Sequence, residues 1–548
     1  MPPLQTSVLI VGAGPTGLLL AAELARRNVP IHLIDALPAP QHWDRATVVH
    51  SRSLQIFEAM GIVQEFLQVG CKQKTIHLYS AGAKLGTIDL ANCGSIYNFN
   101  IGVSEEVTER ILTTQLHKFG GEVHRASRLV RLETTDTAVH ATIERNGQTY
   151  AIDPSFIVGC DGIHSPTREL TGIAFEGHDI EKPWAVFDAS LTGWPHTHEA
   201  NFGYLDELPI ILTALPGNRF RVYLRPSSPE SDLVADATAT LHRYEPQVSF
   251  TNVENPTRFH CHTKVAQHFR SGPVFLAGDA AHLCSPAEGH GMNCGLQDAY
   301  NLAWKLALVH HGVADTALLD SYEIERRPVA AAITVSGDNT EHAHTLVDPA
   351  DRHERDAAIR ARIADPKSLQ ADIVAETELF IEYSHSPVVL GDPNPHLAAG
   401  FRLPDTIEVL DARGQKAHLH THAHHASHTL ILLGGPSASP ESLAKLYAEL
   451  SHAIAAQPLF ESIAAFSTSS APTSSNATTI GHISEDAATL LGIDGATLLV
   501  LRPDAYIGLR ADRDHLAALD RYAHIIKSGR KHSPAHSQNF AQRAPHAL

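Results

Sequence analysis

Val8-Leu-Ile-Val-Gly-Ala-Gly-Pro-Thr-Gly17 is the stretch that decides the fold. A short β-branched run stops at a glycine. Leu18 to Arg27 then has helix-forming composition, and Ile31 to Ile34 returns to strand character before Asp35. The unit reads as strand, tight turn, helix, strand. In that pattern Gly12 makes the turn, Gly14 lets a pyrophosphate approach backbone N–H groups, and Gly17 lets helix and strand pack closely. Pro15 and Thr16 open the helix. Asp35, 18 positions after Gly17, stands at a strand end where a carboxylate can accept from both hydroxyls of an adenosine ribose.

Outward from this unit, Ser53 to Phe66 and Val107 to Phe119 carry apolar residues at helical spacing. Each is predicted as one helix, the second behind a Ser104-Glu-Glu start. Residues 122 to 158 read as short strands about Arg145-Asn-Gly147, followed by the loop Cys160-Asp-Gly-Ile-His-Ser165. From about 176 to 270 short alternating runs punctuated by Gly and Pro predict an inserted antiparallel sheet. Val274 resumes buried-strand composition and Gly295 to His311 is helical, so the first domain is discontinuous. Arg352 to Ser384 reads as charged helix. Strands at Thr429 to Leu433 and Leu498 to Leu501 mark a last unit, with a loop at Ser467 to Thr479 and a disordered tail after Lys527. The predicted domains are 1–175 and 271–345 (first domain, two parts), 176–270 (inserted sheet), 346–395 (helical connector), 396–528 (C-terminal unit) and 529–548 (tail).

The chain has 548 residues, 43% hydrophobic and 19% charged. That is globular usage, enough for about three domains. The net charge of −18 with His neutral gives no general attraction to nucleic acid or anionic lipid, so a small partner is expected. Six cysteines without CxxC spacing suit a reduced, cytoplasmic protein. Ser7 to Ala25 is apolar, but no Lys or Arg precedes it and three glycines interrupt it, so neither a signal peptide nor a membrane span is expected. The run from His418 to His428, with no Cys and no acid interleaved, is predicted to be a solvated polar segment with no metal.

Two further loops repeat the logic of the first. Gly278-Asp279-Ala-Ala-His282 follows a buried strand and leads through Pro286 and Gly289-His-Gly291-Met292-Asn293 into a helix. A strand-end acid beside a glycine-rich helix start suits a second ribose and anionic oxygens or a heterocycle. Cys160-Asp161-Gly162, with Ser165 and Arg168, is again a strand-end Asp-Gly loop. Singly, each is also an ordinary turn. Together and in this order the three motifs resemble the FAD-dependent aromatic hydroxylases of the p-hydroxybenzoate hydroxylase type. Asp44-Arg45-Ala-Thr-Val-Val-His50-Ser-Arg-Ser-Leu54, Asp298 to Lys305 and Tyr322-Glu-Ile-Glu-Arg-Arg-Pro328 extend the likeness. Gly400-Phe-Arg-Leu-Pro-Asp405 and Leu501-Arg-Pro-Asp-Ala-Tyr506 resemble landmarks of the longer phenol and polyketide hydroxylases.

The resemblance implies an α/β chain with a Rossmann-like FAD-binding domain, an inserted antiparallel-sheet substrate domain and a thioredoxin-like C-terminal domain. No Cys follows Cys294, so that last domain does no dithiol chemistry. The resemblance puts Gly12, Gly14 and Gly17 near the FAD pyrophosphate, Asp35 on the adenosine ribose, and Arg45 and Arg110 on the cofactor. It puts Asp279 on the ribityl and pyrophosphate side, Gly289 to Asn293 beside the flavin ring, and Asp161-Gly162 in FAD and NAD(P)H binding, with Arg168 as helper. Asp35 replaces the more usual Glu. Pro286-Ala-Glu-Gly-His-Gly291 replaces the commoner Pro-x-Gly-Gly-Gln-Gly, bringing Glu288 and His290 near the expected ring. Surface exposure is expected for both.

The implied reaction is oxygenation of an activated phenolic ring with NAD(P)H and O2 through a flavin hydroperoxide. Tyr204, Arg221 and Tyr223 are candidates for the substrate wall, and His50 and Pro286 join them as catalytic candidates; each also reads as ordinary sheet or loop structure, and no catalytic base is assigned. His282 is read as a structural hydrogen-bonding group. Baeyer-Villiger oxygenation of a ketone and a non-catalytic flavin-binding regulator are the competing readings. The family resemblance implies a homodimer.

Overall fold

The computed structural model describes residues 4–41, 46–135, 138–391, 393–423, 426–469 and 480–529. Its first sheet is built on β1 (Leu4–Val11), which leads through the glycine turn into α1 (Pro15–Arg26) and back to β2 (Ile31–Ile34). After α2 (Glu105–Lys118), β3 (Gln148–Gly159) pairs parallel with the other side of β1, and β4 (Val274–Leu276) pairs parallel with β3. Packed on this sheet are α3 (Pro166–Thr171), α4 (His290–His310) and α5 (Asp320–His344), and α6 (Pro366–Glu376) follows in the connector. The register decides where the loops go. Val11 is opposite both Ile34 and Gly159, and Gly159 is opposite Leu276. Gly12, Asp35, Cys160 and Ala277 therefore leave the sheet at one edge, the carboxyl ends where open α/β sheets bind ligands.

The inserted sheet has seven strands, two more than the 176–270 segment supplies: Thr75–Ser80 and Ala83–Asp89 complete it from the first part of the chain. Ala200–Tyr204 joins Thr75–Ser80 in parallel, and the other pairings are antiparallel. The C-terminal unit is an eight-stranded mixed sheet with Pro440–Ile454 and His515–Ser528 packed on it. The expected strands at Thr429 and Leu498 lie side by side, antiparallel, within His428–Gly434 and Ala496–Leu501.

Three local expectations need correction. The single helix over Ser53 to Phe66 is two, Ser51–Ala59 and Val63–Val69, because the chain turns at Gly61 with φ +75°. The helical stretch to Ser384 stops at Glu376, and Glu378 takes a left-handed φ of +57°. The histidine run is not a solvated segment: His420 is buried against Glu58 at 2.9 Å, and His428 begins a core strand. Arg45, His424, His425 and most of the predicted loop and tail lie outside the described residues. Among the described residues no helix is long and apolar enough to cross a membrane.

The C-terminal unit is fastened to α4 and α5 through buried charge. Arg502 pairs with Glu325 at 2.7 and 2.9 Å, Lys305 reaches the same carboxylate at 2.7 Å, and the Trp304 indole N–H donates to Asp504 at 3.0 Å. Burial alone would raise the Glu325 carboxyl, but Arg502 and Lys305 outweigh it and hold it well below the usual range.

Candidate active site

The glycines of the three loops do different work. Gly12 has φ +102°, and a Cβ there would stand 2.2 Å from the Cys160 carbonyl oxygen. The first turn is thus pressed against the third motif. Gly278 and Gly295 are closed by Thr16, whose Oγ1 would lie 2.7 and 2.4 Å from an added Cβ. Gly14 is uncrowded: the nearest atom to its Cβ position is Glu109 Oε1 at 3.9 Å. The backbone ahead of α1 is open, and no side chain caps that helix. Its first-turn N–H groups are offered to an outside anion.

Asp35 accepts from the Ala13 N–H at 2.7 Å and the Leu37 N–H at 2.8 Å, with Arg125 3.5 Å away. It thus anchors the glycine turn as well as facing the cleft edge. Asp279 is exposed at the end of β4, where Gly278 turns with φ +61°. Asp298 braces that loop from behind, accepting from the Gly278 N–H at 3.1 Å, from His282 at 2.6 Å and from Arg326 at 2.7 Å. His282 therefore has the structural role expected of it. Asp161 turns inward. Its carboxylate accepts from Ser165 and from the Thr167 N–H and hydroxyl, capping α3. Arg168 donates to the Ala280 carbonyl at 3.0 Å and so ties the Asp161-Gly162 loop to the Asp279 loop. Arg110 is exposed on α2.

On the inserted sheet, residue alternation separates the substrate candidates. Arg221 and Tyr223 share the face that packs toward the first domain: Arg221 makes a bidentate pair with Asp188 at 2.7 and 2.9 Å, and the Tyr223 hydroxyl lies 3.5 Å from Thr47 Oγ1. Tyr204 points the other way, into the cluster with Phe202, Leu233 and Leu241, and stacks on Tyr79. The structure does not bring Tyr204 to the other candidates.

Pro286 starts a 3-10 turn through Glu288 that delivers the chain to Gly289 and α4. Asn293 stitches this start to the Val48 strand, donating to the carbonyls of Val48 and Gly289 and accepting from the His50 N–H. The expected exposure of Glu288 and His290 is overturned: His290 is buried with Glu378 at 2.9 Å, and Glu288 is half-buried, accepting from Ser336 and Thr340. Glu376 and Glu378 carried no signal in the sequence, because they lie more than eighty residues from the loop they back. A pair of acids at a helix end is otherwise ordinary.

The donor set fits FAD: an open glycine turn at an uncapped helix start, the Asp35 carboxylate just past β2, and a second acid and glycine-rich helix start across the edge. The family model described as FAD binding domain matches residues 5–336. The chain belongs to that family. FAD is its cofactor, and the likeness to FAD-dependent aromatic hydroxylases holds. Pentachlorophenol 4-monooxygenase of Sphingobium chlorophenolicum is 32% identical over 60% of this chain, which spans 62% of that protein's length. The 12-dehydrotetracycline 5-monooxygenase/anhydrotetracycline 6-monooxygenase of Streptomyces rimosus is 27% identical over 92% of this chain and 95% of its own. Among solved structures, an anhydrotetracycline hydroxylase from Streptomyces rimosus superposes with TM-score 0.73 at 26% identity, covering 96% of this chain and 100% of that one. A complex of aklavinone-11 hydroxylase with FAD and aklavinone gives TM-score 0.74 at 22% identity over 96% and 100%. The second likeness supports the fold.

Proposed function

We propose that the protein is an FAD-dependent monooxygenase that hydroxylates an activated phenolic or polyketide-type aromatic, using NAD(P)H and O2. The observation that carries this reading is the single sheet edge at which all three ligand loops emerge, with the Tyr223 face of the inserted sheet meeting Thr47 of the same domain. When bound, FAD supplies the redox chemistry that activates O2. In this reading Gly12, Gly14, Pro15, Thr16 and Gly17 hold the pyrophosphate, and Asp35 the adenosine ribose. Asp279 orients the ribityl side, while Pro286, Gly289, Gly291, Met292 and Asn293 seat the ring. Arg45 and Arg110 add positive charge along the cofactor, and Gly162 supplies the left-handed turn of the third loop at φ +76°. Asp188 fixes the Arg221 guanidinium and Thr47 meets the Tyr223 hydroxyl, so both side chains are held on the face that looks toward the first domain. The inserted sheet closes the cleft against water.

The domain limits given above, with the strands of residues 75–89 joined to the inserted sheet, a cytoplasmic setting and a homodimer belong to the same proposal. The named activities of the relatives support an aromatic or polycyclic phenol as substrate. The test is reduction of the purified yellow protein by NADPH and by NADH with a panel of phenols and hydroxylated polycyclic compounds. A product heavier by one oxygen atom supports the reading. A lactone formed from a cyclic ketone replaces it.

A further inference from the structure

Behind the Gly289–Asn293 loop lies a buried set of ionisable groups that the reading above does not use. His290 places Nδ1 2.9 Å from Glu378 Oε1 and Nε2 3.7 Å from Glu288 Oε2. His50 packs on its ring at 4.9 Å between centroids and lies beside Gly289 and Asn100. Asn100 in turn donates to Glu376 at 3.1 Å, and Gln297 donates to Glu378 at 2.5 Å. Cys284 also faces Glu288 and Glu378, its thiol pushed well up by burial and so kept neutral. From α5 come the hydroxyls of Ser336 and Thr340, both on Glu288, and Glu341, which accepts from Ser285 beside Cys284.

Glu378 sits at a strained point of the chain. It is fully buried, yet its backbone is in the left-handed region at φ +57°. For a residue with a side chain this conformation is strained and persists where the surroundings over-determine it. What it gains is the placement of its carboxylate between His290 and Gln297. Nothing in the turn itself asks for Glu there.

We propose that this set is the flavin's electrostatic counterweight: His290, locked as a positioning residue between Glu378 and Glu288, governs the charge behind the loop and thereby the reduction potential of the bound FAD. The inference rests on the ring lying beside Gly289–Asn293. Hydride transfer from a nicotinamide carries two electrons and one proton and adds one negative charge to the acceptor, while the donor leaves as the oxidised nicotinamide. A cation held at the loop favours that change, and bare carboxylates oppose it. Burial alone would lower the His290 imidazole, but Glu378 and Glu288 outweigh it and raise it to about 9. Burial pushes the Glu376 carboxyl up to about 8, against the pull of His290. Burial also drives His50 down to about 4, so it stays neutral near neutral pH. As pH rises through 8 and then 9, the set first loses the Glu376 proton and then the His290 proton. Negative charge collects behind the ring.

The test is the midpoint potential of the FAD holoenzyme from pH 6 to 10, measured for wild type, His290→Gln and Glu376→Gln without any aromatic substrate. The wild-type potential should fall more steeply than that of free FAD between pH 8 and 9. His290→Gln should lower the reduced-to-oxidised ratio about tenfold at pH 7, ~30 mV for a two-electron couple, and abolish the upper part of the extra fall. Glu376→Gln, which keeps an acceptor for Asn100, should abolish the lower part. Variants that hold FAD and track the wild-type profile overturn the inference. If His290→Gln fails to hold FAD, Glu376→Gln decides alone. Hydroxylation of a phenol with unchanged potentials would leave the proposed function standing without this inference; shifted potentials with no oxygenated product would do the reverse. A protein that binds no FAD contradicts both.

Discussion

At the scale of single residues, the glycine triad was legible because its demand is local and steric. A turn with φ +102° at Gly12, pressed on a carbonyl, admits no side chain. Gly12→Ala should cost at least the ~1–3 kcal/mol of a disallowed backbone and lose FAD, visible as a purified protein without the flavin absorbance and with a lowered melting temperature. Asp35 was legible for its position but not for its second role on the Ala13 N–H. Asp35→Asn keeps one acceptor and loses the charge, so FAD affinity should fall roughly 10- to 100-fold, the worth of a charge-assisted hydrogen bond. Fluorescence titration of the apoprotein with FAD measures it, and Asp35→Glu should bind near wild type. What stayed hidden was the pairing of His290 with Glu378. Nothing in a one-dimensional pattern says which of many acids will fold back onto a given imidazole.

At the scale of elements, period-two alternation placed Arg221 and Tyr223 on one face of a strand but did not say which face of Ala200–Tyr204 Tyr204 would join. That depends on the cross-strand register, Phe202 to Leu212 and Leu212 to Val222, which puts Tyr204 with the helix-covered side. The two strands of residues 75–89 were missed for a related reason. They complete a sheet whose other strands lie more than ninety residues away. The Arg221–Asp188 pair is a property of adjacent strands, since the two are directly opposite. Asp188→Ala removes a bidentate carboxylate from a buried guanidinium and should destabilise the protein by about 3–5 kcal/mol in chemical denaturation. A loss below 1 kcal/mol would show that the pair does not fix Arg221.

At the scale of the whole molecule, the order of the three loops along the chain foretold one binding edge, and the register of β1 to β4 delivers it. The docking of the C-terminal unit was not foretold, because it rests on Glu325, Lys305, Arg502 and Asp504, which the sequence offers only as parts of three separate motifs with nothing to say that they meet. Glu325 is held below its ordinary value of 4.5, so its stabilisation is present above that pH and is lost as pH falls through the lowered value. Wild-type melting temperature should therefore drop on acidification below about 4.5, while Glu325→Gln should start lower and lose less over the same range. The central claim is oxygen transfer to an activated aromatic ring at the edge these loops share. Its most direct test is single-turnover reaction of the NAD(P)H-reduced holoenzyme with 18O2 and a panel of phenols, read by mass spectrometry. One 18O atom in a hydroxylated product is the result this account predicts; reoxidation that releases only hydrogen peroxide with every phenol, or a labelled lactone from a ketone, would contradict it.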